Sequence, residues 1–192
     1  MIAKILITIT QKILRISQKE NIPIMFMGGI AVSLWAIPRA TYDVDAVIQI
    51  SQNTLKGFLA KASRQGFIYD RKKPIKIIQG LSFITLSYPI EKHKVYVDLF
   101  LAQSQYFKEA LSRRKKVTLS RMKIPIISAE DLILYKLLSG RGKDLDDIRE
   151  ILLSQRGKLD LVYLKKWAKE LGIITQLEDE LSSVYGINSK NG

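Results

Sequence analysis

Three aspartates and a pair of glycines carry most of the chemical information in this chain. Asp43 and Asp45 flank Val44 in an apolar run ending at Ile48, and Asp98 is the single acid of Lys94-Val-Tyr-Val-Asp-Leu-Phe-Leu101. Both stretches read as strands, where an ionised carboxylate is costly to bury unless a cation or a donor meets it. Residues two apart on a strand share a face, with Cα atoms about 6.5 Å apart. Asp43 and Asp45 can therefore converge on one or two divalent cations. Magnesium, or manganese in its place, takes such hard oxygen ligands and leaves positions open for water and substrate phosphates. A neighbouring Asp98 strand would complete a three-carboxylate set, which in two-metal catalysis serves an attacking and a leaving oxygen. Asp98 is then the natural general base for a substrate hydroxyl.

Upstream, Gly28 and Gly29 permit close backbone approach and open an apolar helical segment. Free N–H groups and the positive end of a helix dipole at such a turn suit a triphosphate. Arg39 and Thr41, just before the acids, add a guanidinium and a hydroxyl for the phosphates.

These residues need a sheet to hold them. Apolar spacing predicts an amphipathic helix over Ala3–Lys19. A short buried strand at Ile24–Met27 follows, then a helix over Ile30–Ile37 stopped by Pro38. Arg39–Ile50 reads as the second strand, with Thr41, Asp43, Asp45 and Val47 on one face. Asn53 caps a helix over Thr54–Arg64, and Phe67–Tyr69 is a further short strand. Arg71-Lys72-Lys73-Pro74 is a basic turn. Leu81–Ser87 and Lys94–Leu101 form an antiparallel pair, Gln105–Ser112 a helix, and Lys115–Leu119 with Met122–Ile127 a hairpin. Ser128-Ala-Glu-Asp131 resembles a capping box for a helix ending at Ser139-Gly140. Helices over Lys143–Leu153, Leu159–Leu171 and Gln176–Tyr185 complete the chain, with a frayed tail from Asn188. The expected fold is a mixed α/β arrangement of the α+β class. A mixed sheet flanked by helices spans residues 1–127, and a small helical region spans 128–192.

The 192 residues suffice for a real core, and 47% are hydrophobic, so disorder is not the default. No apolar run reaches the roughly 18 residues of a membrane span. No cleavable leader is read at the N-terminus. The absence of cysteine excludes disulfides, zinc–thiolate sites and thiol catalysis. A cytoplasmic protein without membrane attachment is expected. The formal charge of +13 favours nucleic acid, nucleotides or an acidic protein as partner. Arg113, Arg114, Lys115, Lys116, Arg121 and Lys123 form one basic group, and Arg71, Lys72, Lys73 and Lys76 another. They suit RNA phosphates, or equally a solvated sheet edge protected from pairing. Tyr88, Tyr96 and Tyr106 could stack a base, although core packing accounts for at least two of them.

The order Met27-Gly28-Gly29, then Asp43-Val44-Asp45, then Asp98 resembles the nucleotidyltransferase superfamily of the DNA polymerase β type. Arg39, Thr41, Asp43 and Asp45, with Glu130-Asp131-Leu-Ile-Leu-Tyr-Lys136 and Lys143-Asp144-Leu-Asp-Asp147-Ile, resemble its AbiEii-like branch, which includes toxins of bacterial toxin–antitoxin pairs. The resemblance covers roughly residues 20–150. It implies magnesium-dependent transfer of a nucleoside monophosphate from an NTP to an acceptor hydroxyl, with pyrophosphate released. Asp43 and Asp45 would bind metal, and Asp98 would complete the site and activate the acceptor. Lys136 would face the nucleotide phosphates, with Asp144 or Asp147 as a further acid. Gly-Gly stands where several toxins carry Gly-Ser, which removes one hydroxyl from the phosphate contacts.

Without the resemblance, Lys136 lies on a helix whose neighbouring positions are apolar and needs a counter-charge. Asp144 or Asp147, across the Gly140–Gly142 turn, can provide it. The leading expectation is a toxin acting on tRNA or another RNA, held in check by a cognate antitoxin protein. The alternatives are an antibiotic-type nucleotidyltransferase acting on a small molecule, and a non-catalytic nucleotide- or RNA-binding module of the same fold.

Overall fold

In the computed structural model, the described residues are 2–78, 80–91 and 93–186. The tail expected from Asn188 and the turn residue Lys92 lie outside them. Among the described residues, two groupings emerge: residues 2–30 with those of Ala40–Ile127, and Ala31–Arg39 with residues 128–186.

The first grouping is built on a seven-stranded mixed sheet of order β3-β4-β5-β2-β1-β7-β6. Its strands are β1 (Ile24–Met27), β2 (Asp43–Ile48), β3 (Lys76–Ile78), β4 (Leu81–Ile90), β5 (His93–Leu101), β6 (Lys115–Leu119) and β7 (Met122–Ile126). β1 pairs antiparallel with β2 and parallel with β7. β2 and β5 run parallel, and β4 returns antiparallel along β5. Strand alternation then sorts the side chains. Val44, Ala46 and Ile48 of β2, Val97 and Leu99 of β5, and Ile84 and Leu86 of β4 are all fully buried.

Helices α1 (Ile2–Lys19) and α3 (Gln52–Arg64) pack together, and α1 packs on β2. They bury Ile9, Ile13 and Leu14 from one and Phe58, Leu59 and Ala62 from the other. Side chains on the other face of these strands include Asp43, Asp45, Tyr96, Asp98, Thr85 and Ser87. α4 (Gln105–Arg113) buries Tyr106 and Phe107.

Several boundaries differ from those expected. Residues Arg39–Tyr42 are not part of β2, which begins at Asp43, so Thr41 reaches the acids from the segment before the strand. Alternation continues back through Arg39, but the ladder to β5 starts only at Asp43 and that to β1 at Asp45. α2 spans Gly28–Trp35, beginning on the glycines. Ser51, not Asn53, caps α3, because its hydroxyl accepts the Thr54 N–H while Thr54 bonds back to the Ser51 N–H. The segment at Phe67–Tyr69 makes a single bridge, Ile68 to Ser87. β3 has no counterpart among the expected elements, because its three exposed residues carry no burial pattern by which to recognise a strand.

In the second grouping, α5 (Ala129–Ser139), α6 (Gly142–Ser154), α7 (Leu161–Glu170) and α8 (Ile174–Tyr185) pack on one another. Ser128 caps α5 by accepting the Asp131 N–H, and Gly140 ends it at φ +63°. That left-handed conformation is one glycine adopts without steric cost. Residues 31–39 join these helices through Gln155, whose amide donates to the Trp35 carbonyl at 2.7 Å. Arg39 adds two further bonds, described below. Among the described residues, no helix is long and apolar enough to cross a membrane.

Candidate active site

The three strand acids all lie in the first grouping, and the register of the sheet brings two of them side by side. Asp45 and Asp98 are Cα partners on the parallel strands β2 and β5, and Asp43 faces Tyr96 in the same ladder. Paired strands lie about 4.8 Å apart, so both carboxylates leave the same face at adjacent positions. Asp43 is exposed, whereas Asp45 and Asp98 are half-buried.

Each acid has a different environment. Asp43 accepts the Thr41 hydroxyl at 2.8 Å. Asp45 leans onto the glycine turn: a Cβ at Gly28 would stand 2.0 Å from Asp45 Oδ2, and one at Gly29 would stand 2.5 Å from Thr41 Oγ1. The glycines thus make room for the acid and the hydroxyl at the start of α2. Gly28 also has φ +62°, so it meets a conformational demand as well as a steric one. A carboxylate beside the first residues of a helix is favourably placed in its dipole.

Asp98 is set deeper in the sheet than the exposed Asp43. Its Oδ1 is buried without a hydrogen-bond partner, while Thr85, its cross-strand neighbour on β4, bonds to the carboxyl group. Burial pushes the Asp98 carboxyl above the ordinary value of 3.8. Thr85 opposes that shift, nearby Asp43 adds to it, and Lys76 opposes it. Lys76 Nζ lies 3.5 Å from the Thr85 hydroxyl. Thr85 was not singled out from sequence; the Ile84-Thr85-Leu86-Ser87 alternation was the available signal.

A divalent cation fits the chemistry of this donor set. Three hard carboxylates emerge from two adjacent strands, and one buried oxygen is unsatisfied. The acids are not already gathered: no group of three His, Cys, Asp or Glu among the described residues is close enough to hold a metal ion. Asp43 turns to Thr41 and Asp45 to Gly28. Like charges favour that separation.

The remaining candidates lie in the second grouping and form a charge network of their own. Lys136 is 3% exposed and donates to Asp144 Oδ1 at 2.8 Å and Asp147 Oδ2 at 2.6 Å. Arg39 grips Asp147 with two bonds of 2.7 Å, from Nε and Nη2. Arg141 binds Asp144 at 2.7 Å through Nε. The counter-charge required by Lys136 is therefore supplied by both aspartates. Burial pushes both aspartates up, but Lys136 and the flanking arginine outweigh it, leaving each below 3.8. Of the tyrosines, Tyr106 is buried, Tyr88 packs edge-on to Phe67, and Tyr96 is 51% exposed beside Asp43.

Several solved structures share this fold. A nucleotidyltransferase-like antigenic protein from Paracoccidioides brasiliensis is 19% identical, with 97% of each chain covered and a TM-score of 0.54. The antibiotic-resistance factor ANT(2'')-Ia is 14% identical over 93% of this chain and 99% of its own, with a TM-score of 0.57. A candidate nucleotidyltransferase from Thermotoga maritima is 18% identical over 79% of this chain and 95% of its own, with a TM-score of 0.52. Identities this low speak for the fold alone. No curated protein matches the chain. The family model described as "Nucleotidyltransferase of unknown function (DUF6036)" matches residues 4–184. The chain belongs to that nucleotidyltransferase family.

Proposed function

We propose that this chain transfers a nucleoside monophosphate from an NTP to an acceptor hydroxyl, with magnesium or manganese held by Asp43, Asp45 and Asp98. The observation that carries the reading is the pairing of Asp45 with Asp98 across β2 and β5, with a buried Asp98 oxygen left unsatisfied. The cation supplies charge neutralisation at the phosphates and the reacting oxygens. Asp98 accepts the acceptor's proton as its oxygen attacks the α-phosphorus, and the α–β phosphoanhydride bond breaks to release pyrophosphate. Burial suits Asp98 to that task by raising its proton affinity. Gly28 and Gly29 leave the space that Asp45 and Thr41 occupy, and the triphosphate approaches along the same turn.

RNA is the acceptor we favour. The support is the charge of +13 and the AbiEii-like pattern of Arg39, Thr41, Glu130-Asp131 and Lys143–Asp147. The same pattern supports a toxin role under the control of an antitoxin protein. The decisive experiment supplies each α-labelled NTP with magnesium and total tRNA, and in parallel with an aminoglycoside. Labelled RNA with the wild type, lost in Asp45→Ala and on chelation, is expected. Label on the aminoglycoside alone would move the acceptor to small molecules. The absence of transfer to any acceptor, together with the absence of NTP binding, would overturn the enzymatic reading.

A further inference from the structure

Helices α1 and α3 enclose a recess of about 360 Å³ whose charged lining is entirely basic: Lys12, Arg15, Lys19, Lys61 and Arg64. We propose that this recess is a binding site for the phosphodiester backbone of single-stranded RNA, separate from the carboxylate site.

Its position follows from strand alternation. Lys12 donates to the Tyr88 hydroxyl at 2.8 Å, and Tyr88 shares its face of β4 with Leu86 and Ile84. Asp98 pairs with Thr85, on the opposite face. The recess therefore lies across the sheet from the acids, so a strand held there would not occupy the reacting centre.

The charges are arranged rather than scattered. Lys12, Arg15 and Lys19 stand at i, i+3 and i+7 on α1, a single stripe about 10 Å long. Lys61 and Arg64 form the facing pair on α3. Lys61 pairs with Glu20. Lys12 is fixed by neutral acceptors only, the Gln65 carbonyl at 2.9 Å and Tyr88, whose ring it also overlies at 4.6 Å. Its position is thus fixed while its charge stays unneutralised. Arg15, Lys19 and Arg64 are exposed and have no carboxylate partner among the described residues.

An acidic helix would need apolar anchors in such a groove, but no large hydrophobic side chain of α1 or α3 is exposed among the described residues. A chain of phosphates needs none. The recess sits at the small end of the ligand-pocket range, which suits one strand and not a duplex.

Fluorescence anisotropy with a labelled single-stranded oligoribonucleotide across a salt series tests the assignment. Arg15→Ala/Lys19→Ala/Arg64→Ala should weaken binding about tenfold or more and reduce the log–log salt slope by about 2, at roughly 0.7 per phosphate contact. Lys115→Ala/Lys116→Ala/Lys123→Ala, which removes equal charge from β6 and β7, should do much less. Asp45→Ala should bind as the wild type does, which keeps this result separate from the fate of the catalytic reading. Equal losses in the two triple variants would show diffuse charge attraction and overturn the proposal. Displacement of the RNA by polyglutamate at equal charge concentration would overturn it in favour of an acidic protein. Unchanged melting temperatures of the triple variants check that the loss is local.

Discussion

Asp45 Oδ2 occupies the volume that a side chain at Gly28 would need, 2.0 Å from the position of a Cβ there. The first glycine of the turn and the second acid of the strand are therefore mutually dependent, although sixteen intervening residues separate them. Gly28→Ala must displace the carboxylate and also hold alanine at φ +62°. The backbone strain costs about 1–2 kcal/mol. A shift of about 1 Å in a catalytic group is worth on the order of 100-fold in rate. Gly29→Ala carries no such φ penalty and should be milder in melting temperature, though it presses on Thr41. Thermal melts and transfer rates of the two variants measure the difference.

Asp98→Asn should stabilise the metal-free protein. A carboxyl raised above 3.8 in the folded state binds more protons there than in the unfolded chain between the two values. Its favourable contribution is intact below the unfolded value and is lost as pH rises through the folded one. The melting temperature of the variant minus that of the wild type should therefore grow from pH 4 toward pH 7. Magnesium should raise the melting temperature of the wild type and not of the variant. A variant less stable than the wild type at neutral pH would contradict this account.

Lys136→Met leaves Asp144 and Asp147 each with one arginine and a buried, partly uncompensated charge. Breaking one side of such a network costs about 3 kcal/mol, or roughly 6–12 °C in melting temperature at this size. A lysine that served only nucleotide phosphates would leave the melting temperature of the free protein unchanged, so one melt separates the two roles. The two aspartates titrate below 3.8 in the fold. Their contribution is present above the unfolded value and disappears as pH falls through the folded ones. An acid-induced loss of stability below about pH 4 is expected in the wild type and should be blunted in Asp147→Asn.

Ser128→Ala removes a cap that serves two groups. The Ser128 hydroxyl accepts the Asp131 N–H at 3.1 Å and donates to Asp131 Oδ2 at 2.7 Å, in a fully buried setting. Tyr163 remains as a donor to the other oxygen, at 2.7 Å. A loss of about 2 kcal/mol is expected. Ser128→Asp should not rescue it, because it would place a second carboxylate against Asp131. Equilibrium denaturation of the two variants gives the comparison.

Much of this architecture can be traced to local residue patterns. The apolar spacing of Ile5, Leu6, Ile9, Ile13 and Leu14 marks α1, and Ser120-Arg121 marks the β6–β7 hairpin, where both residues take positive φ. A lysine among apolar helix positions called for a counter-charge, and Asp144 and Asp147 provide it. What was not legible depended on distant partners. Alternation alone extended β2 back to Arg39, but a strand exists only where a neighbour completes the ladder. The alignment of Asp45 with Asp98 is a property of pairing between strands some fifty residues apart. Thr85 became notable only when that pairing put it beside a buried acid. Nothing local marks Lys12 either: its partners, Tyr88 and the Gln65 carbonyl, lie more than fifty residues away.

Residues 31–39 belong with the helices that begin beyond Ser128, almost a hundred positions later. Trp35 supplies the carbonyl that accepts from the Gln155 amide, and Arg39 the guanidinium that donates to Asp147. A polypeptide beginning at Ser128 and expressed alone would lack both. The helical part is thus not a cassette that recombination or a cloning scheme could move intact, and a ribosome must release most of the chain before that part can close on its missing piece. Co-expression of the separated halves, rather than either half by itself, is the arrangement in which the helices would regain their cooperative melting.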